Sequence, residues 1–239
     1  MDARCSLIIG LLIIIAPPSF CDSISPPYSY REETPDKRHV FIMISEQEGR
    51  KYFGYKQFQQ DLKDDPHSDS FGGAPAPFGN PFSKESIDIL EAYSQSGLYQ
   101  NNGSTNPLWT VDWYAYDVKP LSDAVHLVRP GPWASAYNDP AVSFYKNGSL
   151  LRTHTVNELV ADPKSLPHSV SHFEWRKETK LDDDKKRYRI VTLSGERYRF
   201  NVTTGRIKAA FKPRHAVLAI VLLVIALAAM TILFITRKK

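Results

Sequence analysis

The chain has 239 residues, with 42% hydrophobic and 23% charged residues, a formal net charge of +4 and two cysteines. Setting aside Asp2, Arg4 and the cations Arg237, Lys238 and Lys239 leaves 26 Lys+Arg against 25 Asp+Glu. The net of +1 gives no support to nucleic-acid binding. Both cysteines, Cys5 and Cys21, fall in the first 21 residues, so the rest of the chain excludes disulfides, catalytic thiols and cysteine-held zinc.

Residues 1–21 have the layout of a signal peptide. One basic residue precedes an almost unbroken apolar run from Cys5 to Ala16, Pro17 and Pro18 stop any helix, and Ser19 and Cys21 are small residues before a cut at Asp22. Residues 22–37 hold Pro26, Pro27 and Pro35 and read as an extended lead-in. The run HVFIMIS at 39–45 is apolar on both strand faces, which predicts a buried strand. Over 61–82, aspartate, glycine and proline crowd together without a period, which predicts a long loop. Ser83 can cap a short helix over Lys84 to Ser96, with Ile87, Leu90 and Tyr93 on one side and Gly97 as its stop. The same stretch also alternates loosely, as a strand would.

From Gly97 onward the pattern is β. Residues 99–125 and 144–170, compared at a shift of 45, are identical at nine of 27 positions, where composition supplies about two. The matches include Asn102/Asn147, Gly103/Gly148, Thr110/Thr155 and Val111/Val156. Asn-Gly takes the positive φ angles of a tight hairpin, and the flanking aromatic and β-branched residues suit strands. AVHLV at 124–128 and SVSHF at 169–173 are expected to be buried partner strands. PDKRHVFI near the start resembles LSDAVHLV, a polar turn leading into an apolar strand. Finally, YRIVTL, a Ser-Gly-Glu turn and RYRFNV form a half-buried hairpin over 188–203, with Tyr198, Phe200 and Val202 on its inner face and Arg197, Arg199 and Asn201 on its outer face.

These elements predict an all-β extracytoplasmic domain over 38–215, mainly antiparallel hairpins in a partial propeller-like repeat of about 45 residues. The repeats span 98–142 and 143–187, and there is minor helix. Residues 216–236 contain 21 positions without charge or proline, enough to cross roughly 30 Å of hydrocarbon as a transmembrane helix. Residues 237–239 then form a cytoplasmic tail. The expected location is the cell membrane, single-pass, with the ectodomain periplasmic or extracellular.

The segments LWTVDWYAYDV, HLVRPGPWAS and FYKNGSLL are similar to segments of uncharacterised exported bacterial proteins with β-propeller-like repeats, over about residues 98–202. The resemblance implies the fold class and an extracytoplasmic location, and it transfers no functional residue.

The candidate sites are few. Trp109, Trp113 and Trp133 with Arg129 could stack on a sugar or clamp an aromatic ligand; alternating aromatics of this kind also fill cores. His168, His172 and Glu174 alternate in LPHSVSHFEW, so on a strand two imidazoles and a carboxylate would share one face and could hold a divalent metal. Asn102, Asn147 and Asn201 match the Asn-x-Ser/Thr sequon and would accept glycans in a eukaryotic source. No Gly-x-Ser-x-Gly, His-Glu-x-x-His, phosphate-loop or dinucleotide motif occurs, no cofactor is expected, and no catalytic residue can be assigned. The reading is a single-pass membrane protein acting through binding or assembly, with the membrane and a protein partner or homo-oligomer as partners. The alternative is a membrane-anchored extracytoplasmic hydrolase or metal-dependent enzyme.

Overall fold

In the computed structural model, the structure describes residues 26–64, 82–169 and 171–213, with Ile225 and Leu227. The signal region, most of the Asp/Gly/Pro loop, and the apolar run 216–236 apart from those two residues lie outside them. Among the described residues no helix is long and apolar enough to cross a membrane.

The chain forms three four-stranded antiparallel sheets, each a meander of consecutive strands. Sheet I holds β1 (Tyr30–Glu33), β2 (His39–Met43), β3 (Gly97–Gln100) and β4 (Pro107–Thr110). Sheet II holds β5 (Lys119–Pro120), β6 (His126–Pro130), β7 (Pro140–Lys146) and β8 (Ser149–Thr155). Sheet III holds β9 (Arg176–Asp182), β10 (Arg187–Thr192), β11 (Arg197–Asn201) and β12 (Ile207–Phe211). The helices are α1 (Glu46–Asp64), α2 (Lys84–Ala92) and the single turn α3 (Val156–Leu159). The protein is all-β with minor helix.

Hydrophobic patterning decides how the sheets stack. β2 is apolar on both faces: Phe41 and Met43 pack toward sheet II, while Val40 and Ile42 meet Ile89 of α2 on the other side. β7 is buried along its length, with Tyr145 in the core shared with sheet I and Val142 and Phe144 in the larger core shared with sheet III. Sheet III is one-sided. Tyr188, Ile190, Tyr198 and Phe200 are buried against sheet II, and the intervening arginines of β10 and β11 are exposed. Each fully buried Leu, Ile or Phe side chain contributes about 1.5–3 kcal/mol over its exposed state. Trp175, Tyr188 and Tyr198 make the larger core unusually aromatic.

The turns recur from sheet to sheet. Lys37, Ala124 and Lys186 take positive φ in the first hairpin of sheets I, II and III, and each donates its N–H to the residue three earlier (Thr34 2.8 Å, Leu121 3.2 Å, Asp183 3.0 Å). The third hairpins carry Asn102–Gly103, Asn147–Gly148 and the span Asn201–Gly205, with all three glycines at positive φ. All three sequons therefore sit at the same connection. Gly148 lies so close to sheet I that a Cβ would stand 2.2 Å from the Thr110 carbonyl, and at Gly205 it would stand 2.7 Å from Cβ of Arg152 in sheet II.

Several elements differ from expectation. β1 lies inside the predicted lead-in and pairs with β2 from Tyr30↔Met43 to Glu33↔Val40. The 61–82 loop begins later, because α1 runs through Asp64. α2 is capped by Ser83, whose hydroxyl accepts from Ser86 N–H at 3.0 Å, as expected. It ends at Ala92 rather than Ser96, since Tyr93 is extended and Gly97 already opens β3. SVSHF is no strand. His168 and Phe173 bridge across a tight turn in which Ser169 N–H donates to the His172 carbonyl at 2.7 Å, and Phe173 also bridges Ala134. The 45-residue shift maps β3 and β4 onto β7 and β8, then fails, because residues 156–175 separate β8 from β9 where only 111–118 separate β4 from β5.

Two outcomes test the stacking. Gly103→Ala and Gly148→Ala each place a side chain in left-handed backbone, at a cost of about 1–2 kcal/mol. Gly103 faces open space and Gly148 faces backbone, so denaturation of the full chain in detergent should show a clearly larger loss for Gly148→Ala; equal losses would dismiss the contact. The second concerns Asp123, which accepts from the N–H groups of Val125 and His126 (both 2.9 Å), faces His126 Nδ1 at 2.7 Å and pairs with Lys186 of sheet III. Burial opposes its ionisation, but Lys186, His126 and the backbone donors outweigh it and hold the carboxyl far below its ordinary value. A depressed carboxylate stabilises the fold above its unfolded pKa near 3.9 and loses that contribution as pH falls toward its folded value. Asp123→Asn should lower stability at pH 7 by about 1–3 kcal/mol and flatten the acid limb below pH ~4. An acid limb parallel to that of the parent would remove Asp123 as its cause.

Candidate functional site

The sites begin where β2 ends. Ser45 caps α1, its hydroxyl accepting from Glu48 N–H at 3.1 Å while donating to the Pro27 carbonyl at 3.1 Å. Ser45 N–H donates to Ser29 Oγ at 3.1 Å, and the Glu48 carboxylate accepts from Ser29 N–H. These bonds stitch the segment before β1 to the first turn of α1. On the opposite side Ser96 Oγ accepts from Ile44 N–H at 2.9 Å, and its carbonyl accepts from Val111 N–H at 2.9 Å.

Between these walls lies a groove of about 700 Å³. It is lined by Pro27, by Glu46, Gln47 and Arg50 of α1, by Ser94, Gln95 and Ser96, by the segment Thr110–Tyr114, and by Gly148 of sheet II. A second recess of about 740 Å³ shares Ile44, Ser45, Glu46, Arg50 and Ser94 and continues past Phe53 and Tyr93. Arg50 thus borders both, 3.6 Å from Glu46. The groove offers one guanidinium, two carboxylates (Glu46 and Asp112), serine hydroxyls and the aromatic walls of Trp113 and Tyr114. Burial pushes the Tyr114 phenol up to about 12 despite its bond to Tyr28, and burial also raises Tyr30 well above its ordinary value. Both phenols stay neutral at physiological pH and act as hydrogen-bonding groups: Tyr114 donates to the Tyr28 carbonyl at 3.0 Å and Tyr30 to the Ala115 carbonyl at 2.8 Å. The arrangement suits recognition of a polar ligand or extended segment of mixed charge.

The expected aromatic constellation is brought together in part. Trp113 is half-buried, stacks on Phe41 and tilts against Tyr145 at 4.8 Å. The Arg129 guanidinium lies 4.6 Å from the Trp113 ring centre and donates to the Tyr114 carbonyl at 2.9 Å. Trp109 shares Phe41 with Trp113 and donates its indole N–H to the Ala124 carbonyl at 2.8 Å. Trp109, Trp113 and Arg129 therefore form one packed cluster between sheets I and II, and only Trp113 reaches the groove. Trp133 stands elsewhere, 47% exposed, on the loop that follows β6. That loop is held to sheet III by Trp175 Nε1–H donating to the Pro132 carbonyl and Arg176 to the Gly131 carbonyl.

His168 and His172 sit in the tight turn closed by the His168–Phe173 bridge and Glu174 follows it, instead of the three sharing an alternating strand. His168 Nδ1 contacts the Leu166 carbonyl at 2.6 Å, and His172 Nδ1 contacts Ser171 Oγ at 2.7 Å. Among the described residues no group of three or more His, Cys, Asp or Glu is placed to hold a metal ion. The groove residues Glu46, Arg50 and Asp112 were not among those singled out from sequence. Ser45-Glu-Gln-Glu48, a capping-box spacing, marks the helix start that carries Glu46 and Arg50, and no local motif marks Asp112.

Arg129→Lys replaces a planar, stacked group with a point charge. It should cost about 1 kcal/mol of stability and shift tryptophan emission to longer wavelength as Trp113 loosens. Unchanged emission would mean that Phe41 and Tyr145 alone hold the ring. No protein-family model matches the chain, and a search of curated proteins finds no relative.

Proposed function

We propose that this chain is a single-pass membrane protein whose extracytoplasmic part is a partial, propeller-like array of three four-stranded units, acting by binding a protein partner or a second copy of itself. The observation that carries the binding role is the groove at the first turn of α1, which Arg50, Glu46 and Asp112 line together with Trp113. Such mixed-charge, aromatic-walled grooves recognise extended segments.

The repeat reading is supported by the turns: the same positive-φ position in each first hairpin and the same Asn-to-Gly connection in each third hairpin. Four-stranded meanders stacked face to face are how blades of a propeller are built, although three leave the ring open. The apolar runs at 5–16 and 216–236 support export and anchoring.

Placement is tested on the full chain in cells. Alkaline extraction should leave it in the membrane pellet, and protease added from outside should degrade the folded region. Release by alkali, or complete protection from external protease, would overturn the topology. Binding is tested by a photo-crosslinking side chain at position 50, with position 58 on the exposed part of α1 as control. Adducts from position 50 alone are expected; recovery of monomer only from both positions would dismiss the groove as the binding surface.

A further inference from the structure

The outer face of sheet III carries a charge distribution that neither the stacking nor the groove uses. By register, β9 presents Glu178, Lys180 and Asp182 on this face, β10 presents Arg187, Arg189 and Val191, and β11 presents Arg197, Arg199 and Asn201. All five cations are exposed, against two carboxylates. Lys180, Arg189 and Arg199 stand directly opposite one another across three adjacent strands.

Like charges in directly opposed positions destabilise a sheet. Arg189 is relieved by Glu178, and Arg197 lies over the Phe211 ring at 5.8 Å. Lys180 and Arg199 enter no ion pair among the described residues. A terminal unit of a stacked array needs a polar outer face for solubility, and mixed signs would meet that need without repulsion. A row of one sign does more than solubilise: it complements a surface of the opposite sign.

The sequence says where that surface is. Phe211, 48% exposed on this face, ends β12, and Lys212, Pro213, Arg214 and His215 alone separate it from the apolar run at Ala216. Five Cα steps reach at most roughly 18 Å, so sheet III stays close to wherever that run is inserted. An exposed aromatic at the rim of a basic patch suits the boundary between headgroups and acyl chains.

We propose that the outer face of sheet III, centred on Lys180, Arg189 and Arg199, docks on the acidic headgroups of the bilayer that holds the chain. The inference rests on the anchored reading given above. Anionic phosphodiester groups accept from the guanidinium forks, and the bilayer relieves the repulsion that the row otherwise bears. Docking fixes the array against the membrane and leaves α2 and the groove on the far sheet turned away from it.

The test uses the full chain in nanodiscs, either wholly zwitterionic or containing phosphatidylglycerol, with Cys5→Ser and Cys21→Ser and a fluorophore at Ala209→Cys. Energy transfer to a headgroup dye is expected to be high in anionic discs, low in zwitterionic discs, and reduced at 0.5 M salt. Each cation near an anionic surface contributes roughly fivefold. Lys180→Glu/Arg189→Glu/Arg199→Glu should therefore shift the docked-to-free ratio more than a hundredfold, whereas Lys51→Glu/Lys84→Glu leaves it unchanged. If the reversal variant does not fold by circular dichroism, Lys180→Gln/Arg189→Gln/Arg199→Gln is read instead, with the same direction expected. Equal transfer in both disc types, or transfer indifferent to substitution, overturns the inference. If substitution weakens binding of heparin but leaves transfer in anionic discs unchanged, the face is a site for a soluble polyanion and membrane docking is overturned. Extraction of the chain from discs by alkali counts against anchoring itself, whereas a retained chain with no docking counts against this inference alone.

Discussion

The architecture depends on a single kind of joint: a ring N–H on the fourth strand of one sheet that donates to a backbone carbonyl of the next. Trp109 of β4 reaches the Ala124 carbonyl in sheet II, and His154 of β8 reaches the Gly205 carbonyl in sheet III at 2.8 Å. A carbonyl can only accept, so His154 Nε2 is the donor to Gly205, and Nδ1 lies 2.8 Å from the Glu158 carboxylate. Both rings are partly or wholly buried, where an unpaired donor is costly and a satisfied one fixes geometry. Beside each joint a glycine turn approaches within reach of only a hydrogen. The aromatic cores then fill the space that these joints define, and the large side chains of β7 can face two neighbours at once.

Much of this was legible because the strands that matter alternate or are doubly apolar. HVFIMIS and the 188–203 hairpin announce their burial in their side chains. What was not legible has physical causes. α1 buries only Gly49 and Tyr52 among its described positions, so it has no apolar stripe for periodicity to detect, and two glycines lower its intrinsic propensity. β1 is a polar edge strand that becomes a strand only because β2 offers it a ladder. SVSHF was misread because Phe173 and Trp175 are buried singly, as anchors of a turn, without the regular pairing that a strand of the same spacing would have. The site was the least readable part. Its walls come from five separated stretches of chain, and residue types as ordinary as Glu46, Arg50 and Asp112 acquire meaning only when the cap at Ser45 and the contacts of Ser96 bring them together. Trp109, Trp113 and Arg129 were chosen for a chemistry that two of them spend on packing.

The two ends of the stack are unlike. Sheet I is covered by α2 through Ile89 against Val40, Ile42 and Tyr99, whereas among the described residues sheet III presents an uncovered charged face. A stack with one covered and one open end has a direction, and its covering helix prevents the same contact from being repeated without end. The groove belongs to the covered end and the basic patch to the open one, so the two proposed contacts use different surfaces.

The insertion that supplies both helices also sets an order of assembly. β2 and β3 pair directly, yet residues 44–96 lie between them, while each hairpin of sheets II and III closes over a short turn or a modest connection. Closing the long excursion costs more chain entropy before any strand contact repays it. Sheets II and III can therefore form first, offering the exposed side of β7 as a template on which sheet I condenses last. The groove at α1 becomes complete only in that final step, so the surface proposed for binding is the last to form.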